Sequence, residues 1–356
     1  MSDLLEPSAD VVSANIMDLT FAGLQAQLAT WKEPRFRAGQ LWKWLYVHLA
    51  PDFDQMHNLP RTLRERLKRL YRPSPLTLVD ERLSADQLAR KVLFRLPDGE
   101  TIESVLMEYD QRRTVCVSSQ VGCPVGCTFC ATGQTGFTRN LDAAEIIAQP
   151  IYFARQLHTL RKPLNNVVVM GMGEPLLNYD AVWQAVETWN DGQGFDLGAR
   201  KITISTAGHV PGINRLASES LQVRLAVSLH APDNALRDQL VPLNRTYPLS
   251  DLIATCRDYV TRTRRRITVE YALMDRVNDS VYQAHQLAQL LRGLLCHVNL
   301  IPLNPTPDGP YHASSLERVR AFQRALTGHQ IATTVRVRRG IDVQAGCGQL
   351  CRRQIA

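Results

Sequence analysis

No stretch of apolar residues in this chain approaches the length of about twenty that crosses a bilayer as a helix. Its first residues also lack the basic region and apolar core of a secretory leader. Internal repeats and low-complexity tracts are absent as well, which leaves a globular reading. Charge of one sign is scarce: 41 Lys and Arg against 34 Asp and Glu give +7, informative only where it is concentrated. The eight cysteines do not have the other marks of a disulfide framework, so the expectation is a cytoplasmic protein with reduced thiols and no membrane attachment. A chain of 356 residues has room for one large α/β unit and a smaller appendage.

What is present is one dense cluster of thiols. Cys123-Pro-Val-Gly-Cys127-Thr-Phe-Cys130 places three cysteines in C-x3-C-x2-C spacing, and so tight a turn can aim all three sulfurs at one inorganic centre. Soft thiolates favour zinc or iron–sulfur. A closed zinc site needs a fourth ligand, and none follows closely in Ala131-Thr-Gly-Gln-Thr-Gly-Phe-Thr-Arg-Asn140. A cubane held by three cysteines instead keeps one iron open for a substrate.

Residues 1–12 read as a frayed start. Leu24, Leu28 and Trp31 then recur at helical spacing behind Thr20, a candidate N-cap. Phe36, Leu41, Trp42, Leu45 and Leu49 predict a second helix, and Leu63, Leu67 and Leu70 a third. The third carries Arg61, Arg64, Arg66, Lys68, Arg69 and Arg72 against Glu65 alone, a pattern that suits either a solvated face or phosphate contact. The period then becomes alternating. Arg90–Leu96 and Thr101–Leu106 flank Pro97-Asp-Gly-Glu100 as a hairpin, and Val115–Ser119 leads into the cysteines as the first core strand. A helix is expected from Ala143 to Leu157, bent or interrupted at Pro150. Short strands follow at 167–170, 202–205, 223–228, 267–271, 298–301 and 334–337, alternating with helical or loop stretches. That alternation predicts an α/β fold with a parallel sheet, and its spacing fits a six-stranded partial barrel. Functional residues are then expected just after the strands. Gly171-Met-Gly-Glu-Pro175 occupies such a place, as do Ser205, Ser228-Leu229-His230 and Asn304. Arg262-Thr-Arg-Arg-Arg266 and Arg336, Arg338 and Arg339 form two more basic runs, while Cys256 and Cys296 read as core residues.

The cysteine run with Ala-Thr-Gly-Gln-x-Gly-Phe-x-Arg-Asn behind it, Gly171-Met-Gly-Glu-Pro175 and Ala345-Gly-Cys-Gly-Gln-Leu350 together resemble the radical S-adenosylmethionine superfamily. Within it they resemble the RlmN family of RNA adenine methyltransferases, over about residues 35–355. The resemblance implies a partial (β/α)6 radical-SAM barrel, a helical RNA-engaging domain at 1–75, a β-hairpin extension at 76–112, and a core with a C-terminal catalytic loop at 113–356. It implies a 4Fe-4S cluster on Cys123, Cys127 and Cys130. S-adenosylmethionine would be held by Gly173, Glu174, Ser205, Ser228, Leu229, His230 and Asn304. Two molecules of it would serve each methyl transfer, one as methyl donor and one as radical source. The implied reaction methylates carbon 2 of an adenosine in 23S rRNA before ribosome assembly is complete, and of adenosine in tRNA near the anticodon. Cys347 would carry the methyl group as S-methylcysteine, Cys116 would release the product and leave a Cys116–Cys347 disulfide, and Glu103 would face the target base. A flavodoxin or ferredoxin would donate electrons to a monomeric enzyme, and an external thiol reductant would reopen the disulfide. The alternatives are a carbon-8 adenine methyltransferase of 23S rRNA and a non-catalytic iron–sulfur protein of RNA binding or ribosome assembly.

Overall fold

The computed structural model describes residues 14–306 and 309–351, so the expected frayed start lies outside the described residues. Three helices come first: α1 at Phe21–Thr30, α2 at Phe36–Tyr46 and α3 at Arg61–Leu70. Thr20 caps α1 as expected, its hydroxyl accepting from Gly23 N at 3.1 Å. Leu24, Leu28, Leu41, Trp42, Leu45, Leu63 and Leu67 are buried together, which is what their helical spacing requires.

A ten-stranded sheet forms the centre. Its strands are β1 (Thr77–Leu83), β2 (Ala89–Arg95), β3 (Thr101–Tyr109), β4 (Arg112–Val117), β5 (Asn166–Val169), β6 (Ile202–Thr206), β7 (Arg224–Ser228), β8 (Ile267–Leu273), β9 (Cys296–Pro302) and β10 (Thr333–Val335). Their order in space is their order in the chain. β1 to β4 pair antiparallel, and β4 to β10 run parallel with helices between them. The parallel part thus comprises six strands of four to seven residues and the three-residue edge strand β10. The sheet is an open barrel with β1 and β10 at its edges.

Two local expectations change, and one question that the sequence leaves open is answered. The helix α4 (Ala143–Thr159) runs through Pro150 without interruption, and the proline ring is buried within it. Its capping box on Asp142 and Glu145 and its apolar burial on nearly every turn outweigh the missing N–H. β1 has no counterpart among the expected strands, because it is an exposed edge strand whose Asp80, Glu81 and Arg82 hide any alternation. The basic runs also do not share one end of the barrel. Arg265 donates to Leu221 O and Val223 O at 3.3 and 2.9 Å, just before β7, so its run lies at the amino ends of the strands. Arg336, Arg338 and Arg339 follow β10 and lie at the carboxyl ends. On α3 part of the charge is answered locally: Lys68 pairs with Asp54 at 2.5 Å and Arg66 lies over Trp31.

Beyond β10 the chain turns back across the strand ends toward the antiparallel extension. Asp342 accepts from Ala85 N at 2.8 Å, Gln344 O from Lys91 Nζ at 3.2 Å, and Cys351 N donates to Glu103 Oε2 at 3.1 Å. The same segment is bonded to the cysteine loop, Ala131 N to Gly348 O at 2.8 Å and Thr132 Oγ1 to Leu350 O at 2.5 Å. Residues 336–351 therefore span the open side of the barrel mouth.

Candidate active site

The cysteine loop begins and ends in a short antiparallel pair, Gln120–Gly122 with Phe137–Asn140, which sequence periodicity does not reveal. This pair brings the loop ends so close that a Cβ at Gly122 would stand 1.9 Å from Gly136 O, so only glycine fits. Arg139 fixes the returning strand through Asp98 at 2.6 Å and Glu145 at 2.7 Å. Between them Cys123, Cys127 and Cys130 line one side of a cavity at the carboxyl ends of the parallel strands. Burial pushes the Cys123 thiol up to about 12 and raises the other two, with the neighbouring thiols adding to the shift of Cys127. A cationic centre reverses that penalty, since a coordinating thiol is deprotonated by its metal. Among the described residues no three His, Cys, Asp or Glu side chains gather around one point as a mononuclear ion requires.

The strand ends form the rest of the cavity. Gly171, Gly173 and Glu174 follow β5, Ser205 lies in β6, Ser228 ends β7, and His230 and Asn304 stand beyond β7 and β9. Ser205 and Ser228 bring their hydroxyls within 3.4 Å of each other. His230 is buried in left-handed backbone at φ 63°, a costly conformation for a histidine. Its Nδ1 accepts from Ala272 N at 3.0 Å, which leaves the proton on Nε2. Burial, helped by the Arg237 charge, holds its pKa down to about 3. Asn304 donates to Cys347 O at 3.2 Å, while its buried Oδ1 has no hydrogen-bond partner. Leu229 does not line the cavity: its side chain is in the core, and its N–H and C=O are bonded to Glu270 O and Arg237 Nε. A soft three-thiol wall, paired hydroxyls and an unsatisfied buried acceptor fit a cluster and a polar adenosyl cofactor.

Glu174 is the most constrained group in this cavity. One oxygen accepts from Leu176 N at 3.2 Å and the other from Ala207 N at 2.6 Å, tying the turns after β5 and β6 together. Burial nevertheless raises its pKa to about 7. Its folded value thus exceeds its unfolded one, so its stabilising contribution is complete below about pH 4.5 and lost as pH rises through about 7. His230 acts in the opposite sense, its contribution being present above about 6.5 and lost as pH falls toward about 3. Over pH 6 to 8 the stability of the cluster-free protein, followed by its melting temperature, should therefore fall more for wild type than for Glu174→Gln, by about 1.4 kcal/mol, the worth of one pH unit. Parallel curves would show that Glu174 does not titrate there.

A second cavity adjoins the first and contains both remaining expected cysteines. Cys116, Met107, Met170, Arg336 and Cys347 line it, so residues 116 and 347 are brought together by the terminal segment. Arg336 Nη1 donates to Cys347 Sγ at 3.0 Å. No disulfide links these two cysteines, and none of the eight is in one. The exchange expected of Cys116 calls for a partly ionised thiol, but its burial in β4, together with nearby Cys347, pushes it up to about 12. The glycines flanking Cys347 suggest a mobile loop in the sequence and serve a different purpose in the fold. A Cβ on Gly346 would meet Asn304 Nδ2 at 2.5 Å, and Gly348 takes φ 81° while its carbonyl holds the cysteine loop. Glu103 is neither on the solvent face nor in either cavity lining. It is buried against Lys91, Nζ to Oε1 3.1 Å, on the side of β3 that meets the terminal segment.

Three site residues escape sequence reasoning. Arg336 reads there only as part of a basic run, yet it lines both cavities. Glu270 reads as an ordinary strand residue. It is buried in the first cavity wall, accepts from Asn299 Nδ2 at 2.8 Å, and has its pKa raised by burial. Arg237 is completely buried and donates to Leu229 O, Ala207 O, Ser228 O and Asn244 Oδ1, stitching two strand ends beside the cysteine loop. A charged residue inside an apolar β-strand is the signal that could have found Glu270; Arg237, in a helix, and Arg336, after the last strand, carry none.

An open parallel barrel carrying three clustered thiols at the carboxyl ends of its strands defines a radical SAM enzyme, and residues 117–288 match the model of the radical SAM superfamily. Residues 14–72 match the ribosomal RNA large subunit methyltransferase N-terminal domain. The chain is 50% identical over 350 residues to a probable dual-specificity RNA methyltransferase RlmN of Chloroflexus aurantiacus, covering 95% of this chain and 93% of that one. It is 47% identical over 338 residues to the dual-specificity RNA methyltransferase RlmN 1 of Myxococcus xanthus, covering 95% and 94%. The crystal structure of a radical SAM methyltransferase from Sphaerobacter thermophilus superposes with a TM-score of 0.93 at 53% identity, over 95% of this chain and 99% of that chain. The chain belongs to the RlmN family of radical SAM methyltransferases.

Proposed function

We propose that this protein methylates carbon 2 of a specific adenosine in 23S rRNA, and of adenosine in tRNA near the anticodon, through an S-methylcysteine on Cys347. The observation that carries this reading is the meeting of Cys116 and Cys347 in a cavity that adjoins the three-thiol cavity. Carbon 2 of adenine is electron-poor and has no nucleophilic lone pair, so direct polar attack on a sulfonium methyl is closed to it. When bound on Cys123, Cys127 and Cys130, the 4Fe-4S cluster supplies the electron that cleaves S-adenosylmethionine and opens radical chemistry. Gly173, Glu174, Ser205, Ser228, His230 and Asn304 shape the cofactor site; the backbone of Leu229 belongs to its wall only indirectly. Two cofactor molecules serve each turnover, one for the methyl group and one for the radical.

Cys347 takes the methyl group and presents its carbon to the base, with Arg336 holding the sulfur in place. Carbon–carbon bond formation breaks one C–H bond of that methyl group, its hydrogen atom going to the radical, and the adduct gives up one electron as Cys116 removes the carbon-2 proton. Cys116 passes that proton to solvent and its thiolate then attacks the sulfur of Cys347. One S–S bond forms and the S–CH2 bond breaks, its electron pair passing to the departing carbon, which becomes the methyl group on protonation. The disulfide is transient, and an external thiol reductant returns both cysteines to the free state. Glu103, through Lys91 and Cys351 N, holds the terminal segment against the extension, beside the cavity that takes the base rather than in its lining. A flavodoxin or ferredoxin supplies the electron, and the enzyme works as a cytoplasmic monomer on 23S rRNA before assembly is complete.

Base analysis of rRNA and tRNA from cells with and without the gene tests the reading. Loss of 2-methyladenosine on deletion is expected in both. Loss of 8-methyladenosine would assign the carbon-8 reaction, and unchanged bases would leave a binding protein.

A further inference from the structure

Where the second cavity opens to solvent, Tyr109 lies between two cations. Arg112 Cζ is 4.5 Å and Arg339 Cζ 4.8 Å from the centroid of its ring. The two guanidiniums are therefore no further apart than the sum of those distances, comparable to the Debye length of about 10 Å at 0.1 M salt. Such a pair of like charges is unfavourable unless counter-charge is present. Asp86 supplies some, 3.6 Å from Arg339 Nη1, and the exposed Asp110 lies in the turn between Tyr109 and Arg112. The nearby Glu108 is already paired with Lys162 at 2.9 Å. Arg336, Arg338 and Arg339 all line the cavity, so cations still outnumber carboxylates at its rim.

A second observation points to a ligand. Arg339 Nε is buried with no hydrogen-bond partner, a donor left waiting for an acceptor. Beside it Val337 lines the same cavity at 68% exposure, a large apolar side chain at the rim. Guanidiniums packed on an aromatic ring at a cavity, one of them with an unpartnered N–H and with an apolar surface alongside, suit a nucleotide: phosphate to the guanidiniums, base to the apolar patch. Arg339 and Tyr109 line only the second cavity, so this chemistry is separate from the thiol-lined cofactor cavity.

We propose that Tyr109, Arg112 and Arg339 form a seat for the RNA phosphodiester adjoining the adenosine that enters the second cavity. The proposal rests on the RNA-methylating reading above and adds the group that registers the target nucleotide. Backbone contacts of this kind fix orientation, while the cavity receives the base. Arg339 contributes a planar fork already braced by Tyr109 and Asp86, so little side-chain freedom is lost when a phosphate arrives.

The test uses the full chain with its cluster reconstituted and a hairpin RNA bearing one unpaired loop adenosine. Parallel RNAs carry a neutral methylphosphonate 5′ or 3′ to that adenosine. Wild type should bind the unmodified hairpin and lose about ten-fold in affinity with one of the two neutral linkages, as for one charge-assisted hydrogen bond. Arg339→Ala should lose a similar factor on unmodified RNA and then ignore the linkage, and its log affinity against log salt should flatten by about 0.7. Arg112 is exposed, so Arg112→Ala supplies a variant whose fold is not at stake, and it should show reduced discrimination too. If both variants keep wild-type discrimination and slope, the seat is elsewhere although RNA methylation still stands. If wild type does not bind the hairpin, the RNA reading and the seat fall together.

Discussion

Cys116→Ala is expected to accumulate a covalent protein–RNA species that survives denaturing electrophoresis, while Cys347→Ala yields neither adduct nor methylated base. The two thiols share one cavity, so removing each should stop the reaction at a different bond. On the proposed mechanism, loss of Cys347 removes the methyl carrier and nothing becomes attached, whereas loss of Cys116 lets the attachment form without release, since no thiol attacks the Cys347 sulfur. Burial keeps Cys116 protonated at neutral pH in the RNA-free protein. Its ionisation then has to accompany RNA binding, which protects it from ordinary thiol reagents between turnovers. Cys351 is a further thiol of the terminal segment, but its N–H is turned to Glu103 and it does not line the cavity. Cys351→Ala should therefore retain methylation. Methylation by Cys347→Ala would overturn the assignment of the carrier.

Replacing any one of Cys123, Cys127 and Cys130 by alanine should empty the protein of iron and lower methylation about 10³-fold or more, a barrier increase of at least about 4 kcal/mol. The loop is closed by the pair of strands around it and by the terminal segment rather than by the thiols, so the fold should persist. Iron and sulfide analysis after anaerobic reconstitution, with the visible spectrum, reads the loss directly. A colourless wild-type protein with one zinc per chain would end both the cluster and the radical chemistry.

The parts of this site that could be read in the sequence are those carried by neighbouring residues. Three cysteines in eight positions, a glycine-rich turn after an apolar strand, and serines at strand ends all announce themselves locally, because chain connectivity alone places them. Arg336 and Glu270 do not, since an arginine after a strand and a glutamate within one take their meaning from β9, β10 and Cys347 across the mouth. Cys347 itself is legible only through its resemblance to a family motif. Its glycines look like flexibility, and only the proximity of Asn304 shows that they are there for fit. The helices of the first 70 residues form where their periodicity places them, except that the second ends at Tyr46, with Leu49 beyond it in left-handed backbone, and Phe36 is exposed. Pro150 does not behave as its intrinsic preference suggests, because burial of α4 along most of its length dominates one missing hydrogen bond.

Every strand of the sheet pairs with its neighbour in the chain, so most of the barrel can assemble by short loop closures. The exception is the terminal segment, whose bonds from Ala85 to Asp342 and from Cys351 to Glu103 join residues 257 and 248 positions apart. Closing such long loops carries the largest chain-entropy cost and little apolar gain to offset it. Folding should thus end, and unfolding begin, at the active site: under mild denaturant the amides of Ala131 and Cys351 should exchange with solvent before those of β5 to β8.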